Sequence, residues 1–426
     1  MNPYRRPHVG MLLYQDLTYD GRVQREAMSL VDAGYVVSVM CHAASDDVRG
    51  AMADMGVRVI TRFPTHASVV PGTRSPFNLS DPGTRKQARG GRLGWAAGYW
   101  ANIWGWGRWA VRAGNGATSW HVHDLTGLLA IAAGDPLFRK PVVYDSHELF
   151  LELGSALGLP RPARRTLYEL EGRLARRCAG VITVNHGIAG ELARRYGVSP
   201  VVVMNCPPQA SGRPEGRLRT TLDIGDRPVV LYHGAVTAHR RGVEVLVRAL
   251  EWLPEPTAVV ILGNGSLVPW VREQQRRYAN RLFWHPAVPL AELAAWVVDA
   301  DLGVVLFAGE QLDFALASPN KIFECMSVGV PLLVSDLPVM KEIVVGSGAG
   351  EVCDPREPQL VAAKIEELLS SRERLAKMAE AAMDAARTRY NWATQARVLV
   401  ELYSRTLPLS VPTAQSTVGV ATRRGR

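Results

Sequence analysis

The chain has 426 residues, a length at which one hydrophobic core usually gives way to two domains. Hydrophobic residues make up 47% and charged residues 21%, which excludes a mostly disordered protein. The formal net charge of +9 suits anionic small molecules, a phospholipid surface or nucleic acid, and it does not choose among them.

The cysteines and the N-terminal residues indicate a reducing compartment. The five cysteines are odd in number and scattered, and no pair has the spacing of metal ligands. Gln15, Asp16 and Asp20 interrupt the segment in which a signal peptide would have its apolar core. The sequence contains no run of about 18 apolar residues, the length that a membrane-spanning helix needs, so we predict no such helix. We therefore expect a cytoplasmic protein.

Short apolar runs alternate with helix patterns through the N-terminal half. HVGMLLY, VVSVMC, SWHVHD and PVVYDSHEL are rich in β-branched residues and predict buried parallel strands separated by helices. After residue 206 the sequence becomes rich in proline, glycine and arginine and loses the periodic apolar pattern. We therefore predict a first Rossmann-like domain over 1–206 and a linker over 207–217.

The same alternation starts again after the linker. PVVLYHGAV, AVVILGNGS, LGVVLFAG and VPLLVSD predict a second set of parallel strands, and hence a second Rossmann-like domain over 218–390. A last helix follows over 391–407, and the polar tail 408–426 is expected to be disordered. The predicted fold class is α/β, with two tandem doubly wound domains that face each other across a cleft.

Acidic residues and histidines follow two strands of the first domain. HVHD places His123 and Asp124 at one strand end, and DSHE places Asp145, His147 and Glu148 at the next. Ligands of such sheets bind outside the carboxyl ends of the strands. We predict a functional site there, in which the three acids are candidates for orienting or deprotonating an acceptor hydroxyl.

The TYDGR loop after the first strand carries two more charged residues. Asp20 and Arg22 are predicted to reach the same cleft on its acceptor side. A solvent-exposed helix start is the equal alternative.

Glycines and an arginine follow two strands of the second domain. YHGAVTAHRRG places Gly234 directly after a strand and Arg241 before a helix, and ILGNGS places Gly263 and Gly265 after the next strand. Glycine lets a backbone approach a ligand closely, and an arginine at a helix start suits a phosphate. An ordinary loop or a tight turn is the alternative.

The stretch SPNKIFECMSVGVPLLVSD predicts a helix followed by a buried strand. Ser318 or Asn320 can cap this helix, and Lys321 and Glu324 lie three residues apart on one of its faces. Lys321 and Arg241 can neutralise a diphosphate, while Glu324 can accept two ribose hydroxyls. The pattern predicts a nucleotide-sugar site, with a surface Lys–Glu pair as the alternative.

The order of these segments resembles that of the GT-B-fold glycosyltransferases of the family-four type. The resemblance rests on YHGAVT…RRG, ILGNGS, FWHPAVPLAELAAWVVDADLGVVLF and SPNKIFECMSVGVPLLVSDLP, together with YDGRVQREAMSLVDAGYVVSV, HVHD and the closing tryptophan helix. It implies that 391–407 packs back on the first domain. It also implies that Arg241 contacts the diphosphate, that Glu324 holds the ribose and that His123 contacts the transferred sugar.

Two positions depart from the family's pattern. Leu316 stands where the paired-glutamate motif has its first glutamate, and Ala235 stands where an arginine usually follows the loop glycine. The sequence resembles the subgroup in which a Ser-Pro-Asn-Lys run replaces the first part of that motif. By this resemblance Lys321 supplies the charge that is lost at position 235.

The resemblance implies transfer from a nucleotide-diphosphate sugar to a hydroxyl acceptor, with retention, without a metal and without another cofactor. Preorganised cations and amides can stabilise the departing diphosphate. Inversion with Asp145 or Glu148 as base stays open. The acceptor is a lipid-linked saccharide, a polysaccharide or a small natural product. The alternative functions are a nucleotide-sugar epimerase on the same architecture and a non-catalytic basic protein that binds membrane or nucleic acid.

Residues 85–114 hold five tryptophans and several arginines but no acid. A basic aromatic helix of this kind can lie at an anionic membrane surface, so peripheral membrane contact is one prediction for it. The alternative is a domain helix whose aromatic side chains pack inward. Nucleic acid is not expected as a partner, because no recognised binding module accompanies the charge.

Overall fold

The computed structural model describes residues 6–63, 91–153, 159–209, 215–237, 242–307 and 311–407, without the side chains of 91–97. These residues form two parallel sheets, one of seven strands and one of six. Helices connect the strands, as in doubly wound folds, so the predicted fold class is confirmed. The predicted tail 408–426, residues 210–214 of the predicted linker and the start of the tryptophan-rich segment lie outside the described residues.

The first domain is built on the seven-stranded sheet, whose strand order is β3-β2-β1-β4-β5-β6-β7. Its strands are β1 His8–Asp16, β2 Val36–Ala43, β3 Val57–Thr61, β4 Ser119–His123, β5 Val142–Ser146, β6 Gly180–Thr183 and β7 Val201–Val202. Its helices are α1 Gly21–Asp32, α2 Asp46–Asp54, α3 Gly91–Ala113, α4 Asp124–Gly134, α5 Arg161–Ala175 and α6 His186–Tyr196. Short 3₁₀ turns lie at Leu17–Tyr19 and Phe150–Glu152.

The second domain is built on the six-stranded sheet, whose order is β10-β9-β8-β11-β12-β13. Its strands are β8 Val229–His233, β9 Ala258–Leu262, β10 Leu282–His285, β11 Leu302–Val305, β12 Leu332–Ser335 and β13 Gly350–Cys353. The helices in and after this domain are α7 Leu218–Thr221, α8 Val243–Ala249, α9 Val268–Arg277, α10 Leu293–Val297, α11 Leu312–Ala315, α12 Asn320–Ser327, α13 Pro338–Val344, α14 Pro358–Leu369, α15 Arg372–Thr388 and α16 Trp392–Thr406.

The strand orders explain where the polar residues of each domain meet. In both sheets the order reverses beside the first strand, so loops from either side of that strand open a crevice at its carboxyl end. The strands at this point are buried on both faces, as their continuous apolar sequences require. Polar side chains are therefore concentrated at the strand ends, where a ligand can reach them.

Helix α16 returns to the first domain and packs against α1. Leu399 and Tyr403 are buried in the same apolar cluster as residues of β1 and β2. The indole Nε1 of Trp392 donates to Ser29 Oγ at 2.9 Å, and the hydroxyl of Tyr403 lies 2.9 Å from Nδ1 of His121. The chain thus crosses between the domains a second time after α15.

Helix α3, the described part of the tryptophan-rich segment, has one buried face and one exposed face. Gly107 lies directly against the backbone of α4, where a Cβ would come within 2.2 Å of the carbonyl oxygen of Ala130. On the outer face Trp104 is 57% exposed, and Arg108 and Arg112 are exposed beside it. Within the described ranges, no helix combines the length and the apolar character needed to cross a membrane.

Candidate active site

The polar residues of the first domain meet at the carboxyl ends of β4 and β5. His123 and Asp145 are register partners in these two neighbouring strands, so the parallel pairing alone brings HVHD and DSHE together. Helix α1 adds Arg22 from a third direction. We call Arg22, His123, Asp124, Asp145 and His147 the acceptor-side cluster.

Asp145 is a fixed carboxylate at the centre of the acceptor-side cluster. It is fully buried, and Arg22 binds it through two parallel bonds of 2.9 Å, from Nε to Oδ2 and from Nη2 to Oδ1. His147 Nε2 donates to Oδ2 at 2.9 Å. Burial alone would raise the pKa of Asp145, but Arg22 and His147 hold this pKa well below its usual range. Asp145 is therefore suited to orienting its neighbours and not to accepting a proton.

His147 is held as an imidazolium between two carboxylates. Its Nε2 faces Asp145, its Nδ1 lies 3.6 Å from Asp124 Oδ2, and its backbone N–H donates to Asp124 Oδ1 at 3.1 Å. Burial opposes the charge, yet Asp124 and Asp145 raise the pKa of His147 to about 10. Asp124 adopts a left-handed backbone with φ of 57° to make these contacts, and such strain is typical of functional sites.

His123 has one ring nitrogen bound within the acceptor-side cluster and one that the described residues leave unbound. Its Nδ1 lies 3.2 Å from Nε2 of His147. The same Nδ1 lies 3.4 Å from Asp145 Oδ2, and the single Nε2 proton of His147 is already donated to that carboxylate. Burial lowers the pKa of His123, which keeps this ring neutral. Its Nε2 has no hydrogen-bond partner among the described residues.

A second buried layer supports this cluster, and the sequence argument missed it. Glu26 lies one helical turn after Arg22, with its Oε1 3.0 Å from the Nε of Arg22, and burial raises the pKa of Glu26 to about 8. His121 stacks against His123, with their ring centres 4.5 Å apart. The signal available in the sequence was the Arg–Glu pair at i and i+4 on the apolar face of α1.

Four of these residues carry the donor types that a metal ion would use. Ligand atoms of Glu26, His121, His123 and Asp145 lie within 4.8 Å of one another. The guanidinium of Arg22, however, already lies within 3.0 Å of both carboxylates. The protein thus supplies its own cation at this point, and the expectation of a metal-independent reaction stays a prediction.

Asp20 and Glu148 lie at the edge of the acceptor-side cluster. The Oδ1 of Asp20 accepts from the backbone N–H of Val23 at 3.1 Å, so this carboxylate caps α1, which is the alternative that the sequence left open. Glu148 is exposed, unlike Asp124 and Asp145. It is therefore the acid near the β5 end that solvent reaches most readily.

In the second domain, Lys321 lies beside the carboxyl end of β8. Its Nζ is 4.0 Å from the ring centre of Tyr232, and its side chain is buried. A Cβ at Gly234 would lie 3.5 Å from this nitrogen, and Gly234 has a φ of 109°. The distance is an ordinary van der Waals contact, so the positive φ, and not the lysine, is what favours glycine here. The predicted partner Arg241 lies outside the described residues.

Gly263 and Gly265 let two loops of the second domain pack backbone to backbone. A Cβ at Gly263 would come within 1.8 Å of the carbonyl oxygen of Gly234, and one at Gly265 within 2.0 Å of that of Val236. The backbone N–H of Val236 also donates to the carbonyl of Asn264 at 2.9 Å. These two glycines allow the two loops to pack closely against each other. Their contact with a donor stays a prediction.

Glu324 has a partner that the sequence did not suggest. The Nε2 of His233, the last residue of β8, lies 2.8 Å from Glu324 Oε2. The Glu324 side chain is 19% exposed, whereas that of His233 is 4% exposed. The alternative of a Lys321–Glu324 surface pair is wrong, because the structure gives each of these side chains a partner at the end of β8.

The start of α12 differs from its prediction. Pro319 occupies the cap position and no side chain caps the helix, so the predicted caps from Ser318 or Asn320 are wrong. Ser318 instead accepts a 3.0 Å hydrogen bond from Nδ2 of Asn185, a residue of the first domain. Asn320 is exposed. The proline leaves the first amides of α12 without a side-chain acceptor, which suits an anionic ligand.

Two family models match successive parts of the chain. The one described as "Glycosyl transferase 4-like domain" matches residues 21–208, and the one described as "Glycosyl transferases group 1" matches residues 227–371. Together they cover well over half of the chain. The first match spans β2 to β7 of the seven-stranded sheet, and the second spans all strands of the six-stranded sheet.

Curated relatives include a D-inositol 3-phosphate glycosyltransferase of Xylanimonas cellulosilytica, 28% identical over 62% of this chain and 66% of its own length. A glycogen synthase of Mycobacterium tuberculosis is 25% identical over 66% of this chain and 67% of its own length. The chain therefore matches about two thirds of the length of these relatives.

Solved structures share the whole architecture. Anabaena Alr3699/HepE in complex with UDP is 16% identical, has a TM-score of 0.68, and the match covers 94% of this chain and 100% of that one. Its complex with UDP-glucose has a TM-score of 0.69 at 16% identity, over 93% and 99% of the two chains. Sucrose-phosphate synthase from Thermosynechococcus elongatus has a TM-score of 0.67 at 15% identity, over 94% and 99%.

Proposed function

Because the chain is a glycosyltransferase of the GT-B fold, with a 4-like domain followed by a group 1 domain, we propose that it moves a sugar from a nucleoside-diphosphate sugar to a hydroxyl acceptor. The observation that carries this proposal is the placement of Lys321 and Glu324. Both extend from α12 to the carboxyl end of β8, where a buried cation and a carboxylate stand at the edge of a crevice.

The donor binds to the second domain through these two residues. Lys321 and the uncapped first turn of α12 attract the diphosphate, because both carry positive charge toward it. Glu324 accepts hydrogen bonds from the ribose hydroxyls. Arg241 adds a second cation, as the resemblance implies. The complexes of HepE with UDP and UDP-glucose make a uridine nucleotide the first donor to test.

The chemical step does not use Asp145 as its base. Asp145 is ion-paired with Arg22 and His147 and has a low pKa, so it does not accept the acceptor's proton. We assign that proton to the departing phosphate. The acceptor oxygen bonds to the anomeric carbon on the leaving-group face, the bond to the phosphate oxygen breaks with its electron pair, and configuration is retained. Exposed Glu148 is the base that an inverting reaction would use.

His123 and the cations share the remaining tasks. The Nε2 of His123 forms a hydrogen bond with a hydroxyl of the transferred sugar and orients its anomeric carbon. Lys321 and the amides of α12 stabilise the charge that develops on the diphosphate, which is the work that a divalent metal performs in other transferases. The proposed reaction is therefore metal-independent.

The proposed acceptor is reached from a membrane surface. Trp104, Arg108 and Arg112 lie on the outer face of α3, and an exposed tryptophan followed by two exposed arginines on one helix face favours an anionic lipid interface. A lipid-linked saccharide fits this location better than a polysaccharide or a small natural product does. We place the enzyme in the cytoplasm, peripheral to the membrane.

The test is a transfer assay with UDP-glucose, UDP-galactose and UDP-N-acetylglucosamine, each with and without lipid-linked and free saccharide acceptors, in the presence of EDTA. We expect an acceptor-dependent glycoside with the anomeric configuration of the donor, assigned by NMR. An epimerised nucleotide sugar from donor alone would instead indicate an epimerase. Lys321→Ala should lower turnover about a hundredfold or more, whereas Lys341→Ala, which removes an exposed lysine paired with Asp336, should leave turnover unchanged.

A further inference from the structure

His233 is buried at the end of β8, directly beneath Glu324. Side chains alternate along a strand, and His233 lies on the same side of the sheet as Val229 and Leu231, whose cluster includes residues of α12. From there its Nε2 donates to Glu324 Oε2 at 2.8 Å. A carboxylate can only accept, so this nitrogen carries the proton.

Tyr232 occupies the other side of the same strand. Its ring belongs to the opposite apolar cluster, and the Nζ of Lys321 lies 4.0 Å above it. Consecutive residues of β8 therefore hold the two charged groups of α12 on opposite sides of the strand end. The cation and the carboxylate are kept apart although they lie only three residues apart on one helix.

This separation matters because the two groups would otherwise attract each other. A lysine and a glutamate at i and i+3 on one helix face can form an ion pair, which would withdraw both from a ligand. Two oxygens of one carboxylate offer about four acceptor positions, so Glu324 keeps places for two hydroxyls while His233 occupies one of its lone pairs.

We propose that His233 is a positioning residue for ribose recognition: its hydrogen bond holds the Glu324 carboxylate toward the 2′- and 3′-hydroxyls and away from Lys321. The proposal rests on the proposed function, since it assigns Glu324 to the ribose. His233 does not contact the ribose itself. By the proposal, the preference of the protein for a ribonucleotide over its 2′,3′-dideoxy form nevertheless depends on His233.

The experiment compares two substitutions of the full chain by calorimetric titration. His233→Gln keeps an N–H donor near the position of Nε2, and His233→Phe fills the same space without a donor. The probes are UDP, ADP and GDP, each with its 2′,3′-dideoxy counterpart. We compare affinities for whichever ribonucleotide the wild type binds. His233→Phe should lower this affinity about tenfold, which is the effect of losing one hydrogen bond to a charged group. The affinity of His233→Gln should stay within about threefold of the wild type.

The dideoxy nucleotides supply the readout that a purely structural role would not produce. They lack both hydroxyls, so their affinity should be the same in the wild type and in His233→Phe. In a Glu324→Ala background, His233→Phe should have no further effect on ribonucleotide affinity, because the group that it positions is gone. His233→Asn, whose shorter amide does not reach Glu324, replaces the phenylalanine variant if that one does not fold.

The outcomes separate this inference from the proposed function. Equal weakening of the ribo- and dideoxy forms, or no weakening of either, would overturn the role of His233 while leaving nucleotide binding in place. If the wild-type chain binds none of the six nucleotides, that result contradicts the proposed function and therefore also this inference. That result is visible in the wild type alone, before any variant is compared.

Discussion

Asn185 and Ser318 join the two domains: the side-chain amide of Asn185 donates to the hydroxyl of Ser318 at 3.0 Å and to the carbonyl of Leu316 at 2.8 Å. Ser318 lies two residues before α12, which carries Lys321 and Glu324. The first domain thus holds the segment that leads into the proposed donor-binding residues, so we expect the relative placement of the domains to affect donor binding.

Substitution of Asn185 by serine should loosen this connection without unfolding α6. Serine can replace the asparagine as helix cap, so the free energy of unfolding should change by less than about 1 kcal/mol. Lost contact with residues 316 and 318 should raise the KM for the donor about threefold to tenfold. Small-angle X-ray scattering should show a larger radius of gyration without donor.

Ser318→Ala is the matched control. It removes the hydrogen bond from Asn185 to the Ser318 hydroxyl but keeps the hydrogen bond from the Asn185 side chain to the carbonyl of residue 316. It should give a smaller change in both measurements. Unchanged scattering and an unchanged KM in the Asn185 variant would show that this contact does not control the domains.

Replacement of Lys321 by methionine should lower kcat about a hundredfold, which is typical for the loss of one group that stabilises developing charge. Methionine fills the space over Tyr232 without the charge. Binding of uridine, which has no phosphate, should be unaffected. Steady-state kinetics and calorimetry check the two parts, and an equal loss of uridine and UDP binding would contradict the assignment to the diphosphate.

Stability should fall with rising pH through the charge on His147. Its pKa is raised from 6.5 to about 10 by Asp124 and Asp145, with Arg22 and His123 also facing the ring. The folded state therefore holds a proton that the unfolded state releases. The stabilisation is fully present below pH 6.5 and is lost as pH rises to about 10.

Urea unfolding of the wild type and of His147→Gln at pH 6, 8 and 10 measures this effect. The difference in unfolding free energy should be largest at pH 6 and should shrink by pH 10. Exposed His186→Gln is the matched control and should change stability little at each pH. A difference that does not vary with pH would show that His147 is not charged in the folded protein.

Substitution of Trp104 by serine should reduce sedimentation with vesicles of equal parts phosphatidylglycerol and phosphatidylcholine at low salt. Trp104 is 57% exposed on α3, where the exposed Arg108 and Arg112 follow it on the same face. Trp252→Ser is the matched control, since Trp252 is 43% exposed on the second domain. Equal retention of the two variants, or no retention of the wild type, would remove the membrane contact from the proposal.

Alanine at Gly265 should destabilise the second domain by about 2 kcal/mol or more, because the added Cβ would lie 2.0 Å from a backbone oxygen and force two loops apart. Gly190→Ala is the control: it lies on the exposed face of α6 with no atom within 4 Å of the added group, and it should stabilise by up to about 1 kcal/mol. Thermal unfolding distinguishes the two, and an unaffected Gly265 variant would contradict the close packing of the loops.

Local patterns were sufficient for the fold class, because burial on both faces of a parallel strand leaves a continuous apolar run that can be read from neighbouring residues. The same reasoning placed His123, Asp145 and Lys321 at strand or helix ends. The glycosyltransferase assignment is also confirmed, since it rests on the order of segments along the chain.

The side-chain contacts within the candidate site, in contrast, depend on the tertiary structure. Arg22 and Asp145 lie 123 positions apart, His233 and Glu324 lie 91 apart, and Tyr403 and His121 lie 282 apart. Periodicity relates only residues within a few turns of each other, so it cannot say which strand ends become neighbours. The crossover order of the sheets and the return of α16 bring these side chains together. Which acid is neutralised, which histidine is charged and which serine joins the domains follow from that proximity, because burial and Coulomb interactions act through space.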